Sequence, residues 1–149
     1  MKQTMLGTVA LLFAASIVGC GSDKGPTEFG GGGGGASLVG NYTATQWVTT
    51  GGSGQTNQIV AGSSLTITLN SNGSTTGHMH LIGSAGNPGV DADMAGSWNV
   101  NGSVVRFSQN ADTFVKDMAF NVVPNGAKWA LEGDQVFSGT RVQITLTQS

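Results

Sequence analysis

The residues best suited to chemistry in this 149-residue chain are its only two histidines, His78 and His80. They stand two positions apart in a stretch with the pattern of a β-strand, so both imidazoles point to one side and could share a metal ion. A metal ion needs further ligands, and the nearest carboxylates along the chain are Asp91 and Asp93. Those two lie in a Gly- and Pro-containing stretch, where solvated turn residues are common, so the sequence favours no metal site.

The direction in which the histidines point depends on the turn near Asn72-Gly73. If Asn72-Gly73 forms a two-residue turn, Leu65 pairs with His80 and both histidines enter the core. If residues 71–73 form a three-residue loop with glycine as the bulge residue, Leu65 pairs with Met79 and the histidines face solvent. The second register is favoured because it aligns Met79 with the other apolar residues.

No other group of residues suggests catalysis. The chain contains no Gly-x-Ser-x-Gly motif, and its acidic residues are scattered over turns. Charged residues make up 9% of the chain and the net charge is −2, so no basic surface is available for nucleic acid. We therefore expect a protein that is not an enzyme, needs no cofactor and binds no nucleic acid.

The only cysteine, Cys20, follows a segment with the features of an export signal. Lys2 supplies a charged start, an apolar run covers residues 5–18, and Gly19 is a small residue just before the cysteine. The run of fourteen residues is shorter than the roughly 18 that a membrane-spanning helix needs. We predict a signal peptide over residues 1–19.

The tetrad Ile17-Val18-Gly19-Cys20 resembles the lipobox of bacterial lipoproteins, in which aliphatic and small residues precede a cysteine. The resemblance implies cleavage before Cys20, diacylation of its thiol and usually acylation of the new amino terminus. It also implies a lipid-anchored protein of the bacterial cell envelope. In some Gram-negative bacteria, an aspartate directly after the cysteine resembles an inner-membrane retention signal, and this chain has Gly21 at that position. In a Gram-negative source this favours the outer membrane, at its periplasmic face or its surface.

Residues 20–37 are predicted to form a flexible tether behind the acylated cysteine. Residues 21–37 include eight glycines, six of them in the unbroken run 30–35. A Gly-rich coil of this length spans roughly 20–25 Å, which holds a domain near the membrane but clear of the lipid head groups.

The rest of the chain, residues 38–149, has the pattern of one all-β domain. Asn-Gly pairs at 72–73, 101–102 and 125–126 separate runs rich in Val, Ile, Thr and aromatic residues, which is typical of hairpins. Pairing the last strand with the first would remove exposed edges, so we predict an eight-stranded antiparallel up-and-down meander barrel. The predicted strands cover residues 38–49, 63–70, 74–82, 93–100, 103–109, 113–123, 127–132 and 135–148.

The Asn-Gly turns should lie at one end of this barrel and the long connections 50–62 and 83–92 at the other. Taken as two-residue loops, the second and third Asn-Gly pairs set Trp98 opposite Val105 and Val122 opposite Trp129. A further turn is predicted at Gly133-Asp134.

The domain resembles the bacterial lipocalin-like family within the calycin group. The likeness rests on residues 38–42 opening the first strand, residues 64–70 leading to Asn72-Gly73, and residues 96–100 leading to Asn101-Gly102. It implies a barrel that binds a small hydrophobic molecule.

Large side chains inside the barrel are the candidate ligand contacts. An eight-stranded barrel either holds one small ligand or is filled by its own side chains. The sequence therefore predicts an anchored lipoprotein that binds or shields a small hydrophobic ligand, with a ligand-free structural or envelope-protein interaction module as the alternative. The candidate ligand-binding residues are Leu65, Met79, Leu81, Trp98, Phe107, Phe114, Met118, Phe120 and Trp129.

Overall fold

The computed structural model describes residues 37–84 and 88–149. The predicted signal peptide, the lipid attachment at Cys20 and the tether up to residue 36 lie outside the described residues. Along the described chain the elements are β1 (Gly40–Gly51), β2 (Gly54–Asn57), β3 (Ser64–Leu69), β4 (Ser74–Leu81), β5 (Val90–Asp93), β6 (Gly96–Asn101), β7 (Val104–Gln109), α1 (Phe114–Asp117), β8 (Ala119–Asn125), β9 (Lys128–Phe137) and β10 (Thr140–Gln148).

Eight of these strands close into an antiparallel barrel, which confirms the predicted fold class. The order around the barrel is β1, β3, β4, β6, β7, β8, β9 and β10, and β10 pairs back onto β1 from Tyr42↔Gln148 to Thr50↔Arg141. The remaining two are short additions: β2 pairs with the end of β1, and β5 pairs with the end of β4. They occupy parts of the predicted long connections 50–62 and 83–92.

The two ends of the barrel differ as predicted. The three Asn-Gly pairs lie at one end, called here the tight end, and Gly40 pairs with Leu69 beside the first of them. The described chain therefore enters the barrel at the tight end. The opposite end, called here the open end, carries the β1–β2 hairpin, residues 58–63, residues 82–84 and 88–89 between β4 and β5, and α1.

The second and third hairpins differ from their predicted registers by two residues. Asn101 pairs with Val104 and Asn125 with Lys128, so each asparagine ends a strand and its glycine is the first loop residue. Gly102 has φ 58° and Gly126 has φ 63°, and no positive φ follows them, which is the pattern of a type II′ turn.

The corrected registers give new cross-strand partners on the same faces. Trp98 lies opposite Phe107, and Val122 lies opposite Leu131. A shift of two residues preserves the side to which each residue points, so the apolar pattern was satisfied by both registers.

The predicted turn at Gly133-Asp134 is wrong. Strand β9 continues through Gly133, and the chain turns at Ser138-Gly139, where φ is 46° and 83°. A Cβ at Gly133 would overlap the Sδ atom of Met118. The lack of a side chain at Gly133 therefore allows close packing inside a strand, which is a common reason for a glycine in a strand interior.

The predicted strand 113–123 is divided. Phe114–Asp117 form the one-turn helix α1, and β8 begins only at Ala119. Val115 and Met118 are fully buried, so the helix packs into the barrel at its open end. Within residues 37–84 and 88–149, no helix is long and apolar enough to cross a membrane.

The barrel interior is filled by its own side chains. Phe107 and Phe120 pack edge to face with ring centroids 5.3 Å apart, and the Tyr42 hydroxyl donates a buried hydrogen bond to the Leu38 carbonyl at 2.9 Å. Burial raises the pKa of the Tyr42 hydroxyl. The largest side chains with almost no exposure are Trp47, Tyr42, Phe120, Leu38, Leu65, Ile67, Leu69, Met79, Met94, Met118, Leu131 and Ile144. All of the described barrel strands and this core lie within residues 38–149, so we expect this domain to fold on its own.

Candidate functional site

A cavity of about 530 Å³ lies at the open end of the barrel. Its walls come from β1, β2, the residues after β2, the end of β4, α1 and the start of β10. Apolar side chains meet uncharged polar ones around it. The main lining side chains are Trp47, Leu81, Ile82, Phe114 and Val142 on the apolar side, and Thr49, Thr56, Gln58, Ser84 and Thr140 on the polar side.

Strand geometry brings one wall together. Trp47 and Thr49 are two apart on β1, so they point to the same side. Thr49 lies opposite Val142 on β10 and opposite Thr56 on β2. Three neighbouring strands therefore present these four side chains to one space.

A chain of hydrogen bonds holds the polar wall in place. The Gln58 side-chain amide donates to Thr49 Oγ1 at 2.7 Å, and the Ser63 hydroxyl donates to Gln58 Oε1 at 3.3 Å. The Ile82 backbone N–H in turn donates to Ser63 Oγ at 3.0 Å. Since Ser63 is buried, these bonds fix the residues after β2 against both β1 and the end of β4.

Aromatic rings form the apolar side. The Phe114 ring centroid lies 5.4 Å from that of Trp47 and 6.3 Å from that of Phe137, in tilted arrangements. Trp47 is fully buried and Phe114 is partly exposed. Among the described residues, neither Trp47 Nε1 nor the buried Thr113 Oγ1 has a hydrogen-bond partner. Both residues are neighbours of Phe114: Trp47 is in ring contact with it, and Thr113 precedes it in the sequence.

The predicted ligand contacts separate into three places. Leu81 and Phe114 line the cavity. Trp129 is partly buried at the tight end, opposite Pro124. The other six are packed in the core: Leu65, Met79, Trp98, Phe107, Met118 and Phe120.

Trp47 is the main cavity residue that the strand pattern missed. The pairing of β1 with β10 shifts between Ala44 and Gln46, which marks a β-bulge. Tyr42 and Ala44 point inward before the bulge, and Trp47 points inward after it. A strict two-residue alternation from Tyr42 places Trp47 outside, and nothing local in the sequence signals the extra residue.

The histidines face solvent, as the favoured register predicted. Leu65 pairs with Met79, and the loop at residues 71–73 has Gly73 at φ 80°. The side chains of His78 and His80 are 47% and 45% exposed. The three-residue loop is therefore confirmed.

The histidines on β4 instead contact the aspartates on the neighbouring strand β5. His78 Nε2 lies 2.9 Å from Asp91 Oδ1, and His80 Nδ1 lies 2.9 Å from Asp91 Oδ2. Asp93 Oδ1 is 3.3 Å from His78 Nδ1. The hydrogen bond with His80 is the largest of the effects that lower the Asp91 pKa. No group of three or more His, Cys, Asp or Glu within the described ranges is arranged to hold a metal ion.

No protein-family model matches the chain, and no curated protein or solved structure shows significant similarity to it. The fold and the cavity define its class: a closed eight-stranded antiparallel β-barrel with a cavity at the open end. This architecture is compatible with the lipocalin-like resemblance of the sequence.

Proposed function

We propose that the protein is a membrane-anchored lipoprotein of the bacterial envelope that binds a small hydrophobic or amphipathic ligand and has no enzymatic activity. The observation that carries this proposal is the cavity of about 530 Å³ at the open end. Its size falls within the roughly 300–1,000 Å³ of small-molecule sites, and its mixture of aromatic and uncharged polar groups is typical of them.

The packed core sets the depth of the ligand. Leu65, Met79 and Phe120 are almost completely buried and occupy the barrel interior, so a ligand is held near the mouth. The walls of the cavity are tied together by the hydrogen bonds of Gln58 and Ser63 before any ligand arrives. A wall that is already ordered loses little conformational freedom when a ligand binds.

The position of the predicted tether determines how the cavity would be presented. The described chain enters at the tight end, and strands of nine or ten residues such as β10 and β9 span roughly 30 Å. With an anchor at Cys20, the cavity would lie about a barrel length beyond the attachment point of the tether. This arrangement favours exchange of ligand with the aqueous compartment rather than direct extraction from the lipid beneath.

Two measurements test the proposal. The full-length chain expressed in bacteria with labelled palmitate should incorporate label, Cys20→Ser should abolish it, and Gly21→Ala should retain it. The domain of residues 37–149, purified from bacteria, should show an added mass in native mass spectrometry that disappears on denaturation. Incorporation of labelled palmitate by the Cys20→Ser variant would refute lipid attachment at Cys20.

Exposed apolar side chains favour the second candidate, an interaction module. Val60, Val136 and Ile82 are 83%, 61% and 42% exposed, and all three lie at the open end. Such residues are typical of protein-binding surfaces when they are clustered. An apo mass that is unchanged by incubation with lipids, together with capture of an envelope protein that Val60→Ser and Val136→Ser abolish, would support this function instead.

A further inference from the structure

The distribution of charged residues around the cavity indicates which charge its ligand can carry. This inference rests on the proposed function. None of the described residues that line the cavity is ionisable; the polar ones carry hydroxyl or amide groups. A charged ligand group buried there would lose its hydration without gaining a counter-ion.

The positive charges that stand next to lining residues in the sequence are already paired. Arg141 lies between two lining residues of β10, but its Nε donates to Asp134 Oδ1 at 2.8 Å on the outer side of the barrel. Lys116, two residues after Phe114, forms a salt bridge with Asp112. Each pairing raises the pKa of the basic group, because the neighbouring carboxylate stabilises its charged form. A ligand carboxylate would have to compete with these aspartates.

The polar side of the cavity offers uncharged hydrogen-bonding groups. The hydroxyl groups of Thr49 and Thr140 line it. A neutral hydroxyl, ether or carbonyl oxygen of a ligand can pair with these groups without bringing a charge into the site.

We infer that the open-end cavity selects electrically neutral amphipathic ligands over carboxylates and amines of the same shape. The selection arises because the wall carries no ionisable group and the neighbouring charges are held by partners outside it. The free carboxylate of a fatty acid is therefore excluded, whereas a long-chain alcohol or ester is accepted.

A matched set of probes tests this selectivity. Decanol, decanoate and decylammonium share one alkyl chain and differ in the charge of the head group. Titrated into the domain of residues 37–149 at pH 7.4, decanol should bind at least about tenfold more tightly than either ion. Decanoate or decylammonium binding as tightly as decanol would overturn the inference while leaving the proposed function intact. Failure of all three probes to bind would count against the proposed function itself.

A positive charge placed in the wall should reduce the preference for decanol over decanoate. Thr56 on β2 lines the cavity and is exposed, so Thr56→Lys should fold and should raise the affinity for decanoate at least about tenfold. Gln55→Lys is the matched control. The side chain at position 55 points to the opposite side of β2 from that of Thr56 and does not line the cavity. Equal effects of the two variants would show that decanoate responds to surface charge, and would overturn the assignment of selectivity to the cavity wall.

Discussion

Replacing Gly133 with alanine should destabilise the barrel, because this glycine leaves room for side chains from a neighbouring part of the core. A Cβ at position 133 would overlap Met118 Sδ and lie 3.1 Å from Phe120 Cε1. Both neighbours are fully buried, so neither can move into solvent. The added methyl group must therefore push Met118 into an already filled interior.

The expected cost follows from two opposing effects. Gly133 does not have a positive φ, so alanine brings no backbone strain, and by itself it would add about 0.4–1 kcal/mol of stability by restricting the unfolded chain. Overpacking a filled core costs roughly 1–3 kcal/mol. Met118 can adapt better than a rigid side chain, so the net loss in the free energy of unfolding should be about 1–2 kcal/mol.

Urea unfolding of the domain, followed by tryptophan fluorescence, measures this loss as a lower midpoint with an unchanged slope. Gly51→Ala is the matched control on β1, because its Cβ would meet only Thr140 Oγ1, at an ordinary 3.5 Å. The control should be as stable as the parent protein or slightly more stable. Gly133→Ala combined with Met118→Ala should lose less than the sum of the two single losses, since the overlapping atom is gone. A stable Gly133→Ala, or strictly additive losses, would refute the packing role.

Three further predictions concern a turn, a surface ion pair and the cavity. Gly102→Ala should lower the free energy of unfolding by about 1–2 kcal/mol, because alanine is strained at φ 58°, whereas Ser103→Ala should change it little; equal urea midpoints would contradict this. Arg141 lowers the Asp134 pKa mainly through a hydrogen bond, so the pair stabilises the fold above about pH 4 and this contribution disappears as the pH falls through the lowered pKa. Asp134→Asn should therefore flatten the acid dependence of the urea midpoint, and an unchanged dependence would contradict that origin. Phe114→Ala should weaken decanol binding about tenfold in the same titration as above, and an unchanged affinity would remove this ring from the site.

The architecture could be predicted because several local signals agree. The spacing of the Asn-Gly pairs and the alternation of apolar residues indicated eight strands, and the closed barrel confirms them. The register near Leu65 was also predictable, since only one loop length places both Met79 and Leu81 on the inner face of the strand. Where a wrong register still matched apolar residues, as with Trp98 and Val122, the pattern carried no information to distinguish the two.

Other features depend on contacts that are distant in sequence. Gly133 has the local appearance of a turn residue, and its packing role is visible only once Met118 is beside it. The bulge after Ala44 reverses the facing of the second half of β1. Two of the predicted ligand residues, Leu81 and Phe114, line the cavity, whereas Trp47 was missed because of this bulge.

The position of the cavity follows from the way two strands change partners. Strand β1 pairs with β3 over residues 40–43 and with β2 over 48–51, while β4 pairs with β6 over 74–75 and with β5 over 78–81. Both changes occur toward the open end, so the wall diverges there and the connections after β2 and β4 line the resulting space. On the proposed function, we therefore expect ligand recognition and stability to depend on different parts of the chain. Substitutions in the connections should alter ligand affinity with little change in unfolding free energy, and substitutions in the core near the tight end should do the reverse.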